Sequence, residues 1–265
     1  MLEIKDISCG YSARFSLKNI KFNVQEKQIV GIIGPNGSGK TTLLRAITKV
    51  LPLDTGTIAF NQNDISRMSY KQLAQNIAVV SNDIEYNFEI NVEDFVALGR
   101  IPHQSPFQFF EDAEDKKIVE QALAMTELTG FAQRSLAELS AGERQMAIIA
   151  KALAQKPKLL LLDEPIVHLD ISHQVYIMNL LRRLNKQHDL SVIIVLHELN
   201  FAAEYCDQLV LMDKGKVYTI GTPEQVLNKQ TVESVYQTKV MVSKNPISQK
   251  PHVFIVSAEE EKNGQ

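Results

Sequence analysis

Four short apolar runs along the chain have the length and composition of buried β-strands. They are almost entirely aliphatic and lie at Ile29–Ile33, Ile77–Val80, Leu159–Leu162 and Val192–Leu196. Apolar residues at helical spacing predict helices near Ser140–Ala154, Gln174–Lys186 and Leu199–Cys206. Strands that alternate with helices are typical of α/β proteins in which helices cover a mostly parallel sheet.

Three regions depart from this alternation. In the first sixty residues, Ile20, Phe22 and Val24 alternate with polar residues, which predicts a half-buried strand in an antiparallel β subdomain. From about residue 92 to 150, helical spacing with acidic patches predicts a helical subdomain inserted into the α/β core, and residues 213–216 predict a hairpin turn. We therefore predict a single domain over residues 1–256 and a short disordered tail over 257–265.

Composition and charge exclude several classes of protein. The 265 residues carry a formal net charge of −3 and have a sequence pI of about 6.1, so no global attraction to nucleic acid or anionic lipid is expected. No apolar run approaches the roughly 20 residues that span a bilayer, and the N-terminal residues lack the apolar core of a signal peptide. Cys9 and Cys206 form no spaced motif, which fits a reducing cytosol.

The segment Gly34–Thr41 fits the pattern G-x-x-x-x-G-K-T of a phosphate-binding loop. It lies between the predicted strand Ile29–Ile33 and a segment, 42–47, that can begin a helix. The glycines let backbone N–H groups curve around phosphate oxygens, and the helix N-terminus favours an anion. We expect Lys40 to reach the β- and γ-phosphates of a nucleotide and the Thr41 hydroxyl to ligate Mg²⁺. A glycine-rich turn with an incidental lysine is the alternative.

Two acidic residues follow the predicted strand Leu159–Leu162. A phosphate loop needs a carboxylate opposite it to hold Mg²⁺ through water, and Asp163 suits this role. Glu164 comes next, at the carboxyl end of the strand, where ligands of α/β sheets bind, and suits a general base for an attacking water. The alternative is a strand that runs into a polar turn, and the phosphate loop upstream favours the catalytic interpretation.

Residues 139–145 predict the N-terminus of a helix. Ser140 and Glu143 have the S-x-x-E spacing of a capping box. The apolar residues that follow recur at helical spacing. A helix N-terminus is a second place where an anion can bind, although this pattern alone is equally typical of an ordinary helix cap.

Together these segments resemble the ATP-binding cassette ATPase family over nearly the whole chain. The signature of that family, usually Leu-Ser-Gly-Gly-Gln, corresponds to residues 139–143, where Ala141 replaces the first glycine and Glu143 the glutamine. By the same resemblance, Tyr11 stands where an aromatic ring stacks on adenine. Asp170 matches the loop that crosses the dimer, and His197 matches the switch histidine that contacts the γ-phosphate. Tyr11 and His197 by themselves are also typical of sheet edges, and their order relative to the other motifs favours the functional interpretation.

The resemblance implies ATP and Mg²⁺ as cofactors and assigns roles to individual residues. The residues implied in catalysis are Lys40, Asn82, Glu164 and His197. Those implied in binding ATP are Tyr11, Gly34, Pro35, Asn36, Gly37, Ser38, Gly39, Lys40, Thr41, Thr42, Ser140, Gly142 and Asp170. Those implied in holding Mg²⁺ are Thr41, Asn82 and Asp163.

Asn82 departs from the family pattern. A glutamine normally follows the strand that corresponds to Ile77–Val80, and here the pair is Ser81-Asn82. The asparagine keeps the amide but is one methylene shorter, so it reaches Mg²⁺ or the attacking water only if the loop moves inward. We therefore expect slower hydrolysis or looser coupling to a partner than a glutamine gives. Stimulated turnover of Asn82→Gln tests this, and unchanged turnover would contradict it.

The resemblance also implies partners. In this family two cassettes pair head to tail, with ATP between Lys40 and Thr41 of one subunit and Ser140 and Gly142 of the other, so we expect a homodimer. With no predicted membrane span, the chain is expected to dock through its helical subdomain on separate permease subunits, at the cytoplasmic face of the inner membrane. An extracytoplasmic substrate-binding protein would take part indirectly.

Two segments bear on the transported substrate. Ala97–His103 is similar to a stretch in the branch that imports iron–siderophores, haem and cobalamin, and Gly221–Leu227 is similar to the C-terminal region of that branch, although it recurs in other importers. We expect a metal chelate or cofactor as the substrate. Arg100 and His103 have the alternative interpretation of solvated residues at a helix end, and neither is assigned a ligand role.

Two alternatives from other classes stay open. One is a cassette protein that acts on nucleic acid or ribosomes instead of a transporter. The chain has no long coiled-coil insertion and no basic stripe, which argues against this alternative. We therefore expect no nucleic-acid partner. The other is a weakly catalytic, nucleotide-dependent regulator, which Asn82 supports and which Glu164 and His197 oppose.

Overall fold

The computed structural model describes residues 1–12, 15–81, 89–105 and 112–257. The chain divides into two compact units. The first comprises Met1–Ser66 together with Ile193–Gln265, and the second comprises Arg67–Val192. The first unit is therefore discontinuous in sequence. The predicted extent of a single domain, 1–256, and the predicted disordered tail stay predictions.

The first unit contains the predicted antiparallel sheet. Its strands are β1 (Leu2–Ser12), β2 (Phe15–Val24), β4 (Thr55–Phe60) and β5 (Asn63–Asp64), in the order β2-β1-β4-β5. The alternating residues Ile20, Phe22 and Val24 are buried, as expected, and Phe22 lies opposite Ile4 of β1. The period-two pattern therefore placed this strand correctly, because only one face of the sheet packs against the core.

A second set of strands in the first unit carries the phosphate-loop segment. The strands β3 (Ile29–Ile33), β8 (Ser191–Val195), β9 (Gln208–Asp213) and β10 (Lys216–Gly221) lie in the order β10-β9-β3-β8. The division between the units falls within β8. β3 runs parallel to β9 and is buried along its whole length. β9 and β10 are antiparallel, which confirms the predicted hairpin turn at residues 213–216.

Helices and a C-terminal hairpin complete the first unit. The helices are α1 (Lys40–Ile47), α7 (Leu199–Tyr205), α8 (Pro223–Val226) and α9 (Lys229–Tyr236). The antiparallel hairpin consists of β11 (Val240–Lys244) and β12 (Pro251–Ile255). The predicted helix near Leu199–Cys206 corresponds to α7.

The second unit consists of two parallel strands and five helices among its described residues. The strands are β6 (Ile77–Ser81) and β7 (Leu159–Asp163). The helices are α2 (Tyr70–Ala74), α3 (Val92–Ala97), α4 (Ala113–Met125), α5 (Ala141–Ala154) and α6 (Ile171–Gln187). Short 3₁₀ segments lie at Leu98–His103, Thr129–Phe131 and Leu136–Glu138. A parallel sheet, antiparallel sheets and covering helices together confirm the predicted α/β class.

The helices between β6 and β7 form the predicted helical insertion. α3, α4 and α5 pack against one another. α4 buries one apolar stripe and exposes charged residues, whereas α5 is buried on all sides from Gln145 to Ala150. No helix in the described ranges is both long and apolar enough to cross a membrane.

The interpretation of Arg100 as a solvated residue is wrong. Its side chain is only 6% exposed, its Nε donates to the Asp115 carboxylate at 2.8 Å, and its Nη1 donates to the Ala154 carbonyl at 2.7 Å. His103 Nε2 lies 2.8 Å from the Gln155 carbonyl. These groups bind the free carbonyls at the end of α5, so the segment Leu98–His103 is anchored inside the helical subdomain.

We expect Gly99→Ala to destabilise the second unit. A Cβ at Gly99 would lie 2.1 Å from the Lys151 carbonyl oxygen of α5, so backbone must move to admit it. The expected loss in the free energy of unfolding is about 1–3 kcal/mol, measured by urea denaturation. Gly130→Ala is the matched control, because nothing lies within 4 Å of its added Cβ. Equal stability of the two variants would contradict the close packing of Leu98–His103 on α5.

Candidate functional site

The phosphate-loop segment lies between β3 and α1, as the sequence predicts. Gly34, Gly37 and Gly39 have positive φ angles of 147°, 75° and 105°, which L side chains rarely adopt. At Gly34 an added Cβ would also lie 2.2 Å from the Met212 carbonyl of β9. Because β9 borders β3 on this side, both the conformation and the packing of the loop require glycine there.

Two polar side chains of this loop are buried. The Lys40 side chain is 5% exposed, and its Nζ donates to the carbonyls of Gly34 at 2.9 Å and Pro35 at 3.1 Å. Ser38 is 2% exposed, and its hydroxyl has no hydrogen-bond partner among the described residues. A buried hydroxyl without a partner is costly in a folded protein. The loop therefore offers a positive charge and an unused hydroxyl to a phosphate group.

Tyr11 extends from β1 as an exposed ring. It is 56% exposed, and its hydroxyl accepts a hydrogen bond from Arg45 Nη1 of α1 at 2.9 Å. The Arg45 guanidinium lies 5.9 Å from the ring centroid. Arg45, which the sequence analysis did not single out, therefore orients the ring that is proposed to stack on adenine.

We expect Tyr11→Ala to weaken ATP binding while Tyr11→Phe stays close to wild type. Loss of base stacking costs about 1–3 kcal/mol, or roughly 5- to 150-fold in the dissociation constant. Phenylalanine keeps the ring and removes only the hydroxyl that faces Arg45. Equilibrium titration of the isolated chain with ATP measures both variants. If Tyr11→Ala bound ATP with wild-type affinity, Tyr11 would be an ordinary residue at the edge of the sheet and would not stack on adenine.

His197 lies two residues beyond the end of β8. The Leu196 amide just before it donates to the Ile32 carbonyl of β3 at 3.1 Å, which places His197 at the carboxyl ends of neighbouring parallel strands. Ligands of α/β sheets bind at this edge. The phosphate loop also starts there, so the first unit brings His197 and the loop to the same edge of the sheet.

The C-terminal hairpin supports the helix that follows His197. Asn200 of α7 accepts from the Val253 amide at 2.8 Å and donates to the Val253 carbonyl at 3.2 Å. Ser248, in the hairpin loop, donates to the Glu204 carboxylate at 2.7 Å. These contacts fix α7 to β12 and so restrict the residues just after His197. Sequence reasoning did not find them, because they join segments about fifty residues apart.

In the second unit, Asp163 and Glu164 end β7 as predicted. Asp163 pairs in register with Ser81 at the end of β6, and both acidic residues are partly exposed. Glu164 has a φ of 53°, a left-handed conformation that is uncommon for glutamate. Strained backbone of this kind clusters at functional sites. Asn82 follows Ser81 and lies outside the described residues.

Ser140 caps the N-terminus of α5 in the predicted capping box. The Ser140 amide donates to the Glu143 carboxylate at 2.8 Å, and the Glu143 amide donates to the Ser140 hydroxyl at 3.3 Å. The Ser140 hydroxyl and then the Ser140 amide hold the pKa of Glu143 below its usual range. Glu143 therefore stays ionised at neutral pH and closes the cap.

Asp170 caps the N-terminus of α6. Its carboxylate accepts from the His173 amide at 2.9 Å, from the Ser172 hydroxyl at 2.7 Å and from His173 Nδ1 at 2.9 Å. These donors, the His173 amide first, hold the pKa of Asp170 well below its usual range. His173 was not among the sequence candidates, although an acidic cap followed three residues later by histidine was visible in the sequence.

Each unit therefore carries its own share of the candidate site. The first unit holds the phosphate loop, Tyr11 and His197, and the second holds Asp163, Glu164, Asp170 and the Ser140–Gly142 segment. In the described part of the chain, no cluster of three or more His, Cys, Asp or Glu is arranged to hold a metal ion. The residues implied for Mg²⁺ are the Thr41 hydroxyl, the Asp163 carboxylate and the Asn82 amide, the last of which lies outside the described residues. So few protein ligands suit a cation that keeps several waters and binds substrate phosphates.

The proteins similar to this chain include ATP-binding proteins and cassettes of transporters. The iron(3+)-hydroxamate import ATP-binding protein FhuC of Bacillus subtilis is 35% identical over 250 residues, which cover 94% of this chain and 93% of that protein. A transporter described as of the metal-chelate type, solved in an inward-facing conformation, matches with a TM-score of 0.86 at 25% identity and covers 98% of both chains.

A further solved structure is the cassette MJ0796, a dimer in a post-hydrolysis state bound to ADP and Pi. It matches with a TM-score of 0.72 at 26% identity, over 84% of this chain and 99% of that one. The model of the family described as ABC transporter matches residues 17–167, which is more than half of the chain. The chain therefore belongs to the ABC transporter family, as one of its ATP-binding, ATP-hydrolysing cassettes.

Proposed function

We propose that the chain is the ATPase subunit of an importer that takes up a metal chelate or cofactor through separate permease subunits. The observation that carries the catalytic part is the phosphate loop, with three glycines at positive φ, a buried hydroxyl without a partner on Ser38 and the buried Lys40 ammonium. The names of the relative and of the first solved structure, iron(3+)-hydroxamate import and metal-chelate type, support an iron chelate as the substrate class.

The proposed reaction is attack of water on the γ-phosphorus of ATP, which breaks its bond to the β-phosphate and releases ADP and inorganic phosphate. Lys40 neutralises charge on the β- and γ-phosphates, and the amides of the loop bind the phosphate oxygens. Glu164 polarises the attacking water, and His197 contacts the γ-phosphate. Thr41, Asn82 and Asp163 would hold Mg²⁺, which would supply positive charge to stabilise the phosphates. Tyr11 fixes the adenine.

We propose that two copies of the chain are needed for turnover. Ser140 and Gly142 of one copy would contact ATP bound by Lys40 and Thr41 of the other, with Asp170 crossing between them. The dimeric state of MJ0796 supports this arrangement. Neither copy then has a complete site alone, so ATP holds the pair together and hydrolysis releases it.

The helical subdomain supplies the surface that we propose for the permease. Glu93, Asp94 and Lys116 line a shallow cavity between α3 and α4, and the Arg100–Asp115 pair lies at its base. Charged side chains over an anchored base suit a polar permease segment. Bound to the permease in this way, the chain would lie peripherally at the cytoplasmic face of the membrane. An extracytoplasmic binding protein would deliver the substrate to the permease.

Hydrolysis by the chain alone and by the chain in complex with its permease in lipid nanodiscs tests this function. The permease should raise turnover, Glu164→Gln should abolish it, and iron hydroxamate, haem or cobalamin should then be taken up by proteoliposomes. Turnover that is indifferent to the permease would contradict the importer. Stimulation by nucleic acid would instead favour the cassette that acts on nucleic acid or ribosomes.

A further inference from the structure

We propose that His173 is a positioning residue that couples the Asp170 loop to the signature segment Ser140–Gly142. Both segments lie in the second unit, at the N-termini of α6 and α5. The inference rests on the proposed function only where it concerns ATP bound by a second copy. The contact between the two segments is a property of the single chain.

The first observation is the close approach of the His173 ring to Gly142. A Cβ added at Gly142 would lie 2.1 Å from His173 Cδ2, 2.5 Å from Nε2 and 2.7 Å from Cγ. All three atoms belong to the imidazole ring. Gly142 lies within the first turn of a helix, where alanine is normally favoured over glycine. The ring of His173 leaves no room for a Cβ at position 142. This explains why glycine stands there although helix propensity disfavours it.

The second observation is that the ring is held in place from its other side. Nδ1 lies 3.0 and 2.9 Å from the two carboxylate oxygens of Asp170. Because that carboxylate is an acceptor, Nδ1 carries the proton of this hydrogen bond. Nε2 and Cδ2 then face Gly142. One imidazole ring thus bridges the cap of α6 and the first turn of α5.

A groove lies beside the ring, so the ring is not packed on every side. The groove has a volume of about 340 Å³, and its lining includes His173, Gly142, Met146 and Phe131. The hydrogen bond from Nδ1 to the Asp170 carboxylate opposes movement of the ring toward this space. Asp170 therefore keeps the ring on Gly142, so a displacement of the Asp170 loop is passed on to the signature segment.

The consequence lies in the dimer. Asp170 and the signature segment are the two parts of the second unit that we expect to meet the partner copy. If the ring joins them, both approach the partner's ATP in one fixed arrangement. Losing the ring should then weaken ATP-driven pairing, without changing how the phosphate loop of the same chain binds nucleotide.

A double-mutant cycle tests the contact. Gly142→Ala places a methyl group against the ring, and His173→Ala removes every ring atom that this methyl would meet. We expect Gly142→Ala to lower the thermal midpoint and the double variant to recover it, because the two changes interact directly. His173→Asn keeps a donor toward Asp170, but it also keeps Cγ and places its amide oxygen where Cδ2 lies, so it should not rescue Gly142→Ala. His188→Ala, an exposed histidine at the other end of α6, is the matched control and should not rescue it.

The positioning role is measured in a Glu164→Gln background, in which ATP is expected to trap the dimer. Gly142→Ala and His173→Ala should each raise the ATP concentration for half-maximal dimerisation roughly tenfold, with unchanged affinity of the monomer for ATP. The double variant should dimerise better than Gly142→Ala alone. A double variant no better than Gly142→Ala in both assays would overturn the proposal.

Two other outcomes are informative. If only the thermal midpoint recovers, His173 packs on Gly142 but does not position the signature segment, and the proposed role is wrong. If the Glu164→Gln parent forms no dimer with ATP, the proposed sandwich fails and the role across the dimer fails with it. The thermal cycle still shows in that case whether the ring contacts Gly142.

Discussion

Replacement of Lys40 by alanine is expected to lower the rate of ATP hydrolysis by about 10²–10³-fold, because comparable losses of charge stabilisation at a reacting centre have this size. In the structure, the ammonium already lies at the loop, on the carbonyls of Gly34 and Pro35. Lys40 is the first residue of α1, where alanine is well tolerated, so the fold should survive. Steady-state phosphate release measures the effect, and circular dichroism checks the fold.

The matched control for Lys40→Ala is Lys21→Ala. Lys21 is an exposed lysine of β2, 4.0 Å from Asp6, and its loss removes the same net charge at the surface. It should leave turnover within a factor of about two, because exposed ion pairs contribute little. If both variants lost activity equally, the decrease would reflect net charge, and the proposed role of Lys40 would be wrong.

Glu164→Gln is expected to reduce turnover by about 10²–10⁴-fold, the usual size of a general-base contribution. It should also trap an ATP-bound dimer, because nucleotide still binds and only the activation of water is lost. Glutamine has the same shape as glutamate and meets the same positive φ, so the backbone of the turn after β7 should be kept. Single-turnover hydrolysis and size-exclusion chromatography with ATP read out the two effects.

Glu26→Gln, at an exposed position before β3, is the control for the loss of one carboxylate. It should neither slow turnover nor trap a dimer. Wild-type turnover in Glu164→Gln would remove Glu164 from the reaction and leave it as a polar turn residue. A slow variant that forms no dimer would keep Glu164 in catalysis and contradict the two-copy site.

The apolar runs predicted the strands well because buried parallel strands need apolar residues on both faces. β3, β6, β7 and β8 all lie where those runs lie, to within one residue. The capping box of Ser140 and Glu143 was equally readable, since its two hydrogen bonds join residues three apart in sequence. Local patterns of this kind do not depend on the rest of the fold.

Features that depend on tertiary contacts were not predicted. The burial of Arg100 follows from Asp115 and from the end of α5, and neither is marked in the sequence around Arg100. The ring of His173 over Gly142 joins two helix N-termini about thirty residues apart. The hairpin β11–β12 was missed because its strands are short and only partly buried. The positive φ of Glu164 could not be predicted from the sequence either, because glutamate is not a residue that favours this conformation.

The discontinuity of the first unit has a consequence for biosynthesis. β3 carries the phosphate loop, but its parallel neighbour β9 follows it by about 175 residues. At roughly 5–20 residues per second, a ribosome needs about ten seconds or more to make that neighbour. Until then the apolar strand β3 lacks this neighbour, and the whole second unit is synthesised before β9 is made. A translation product that stops inside the second unit therefore contains the entire phosphate-loop motif but lacks the strand against which Gly34 packs, so possessing the motif does not confer a nucleotide site.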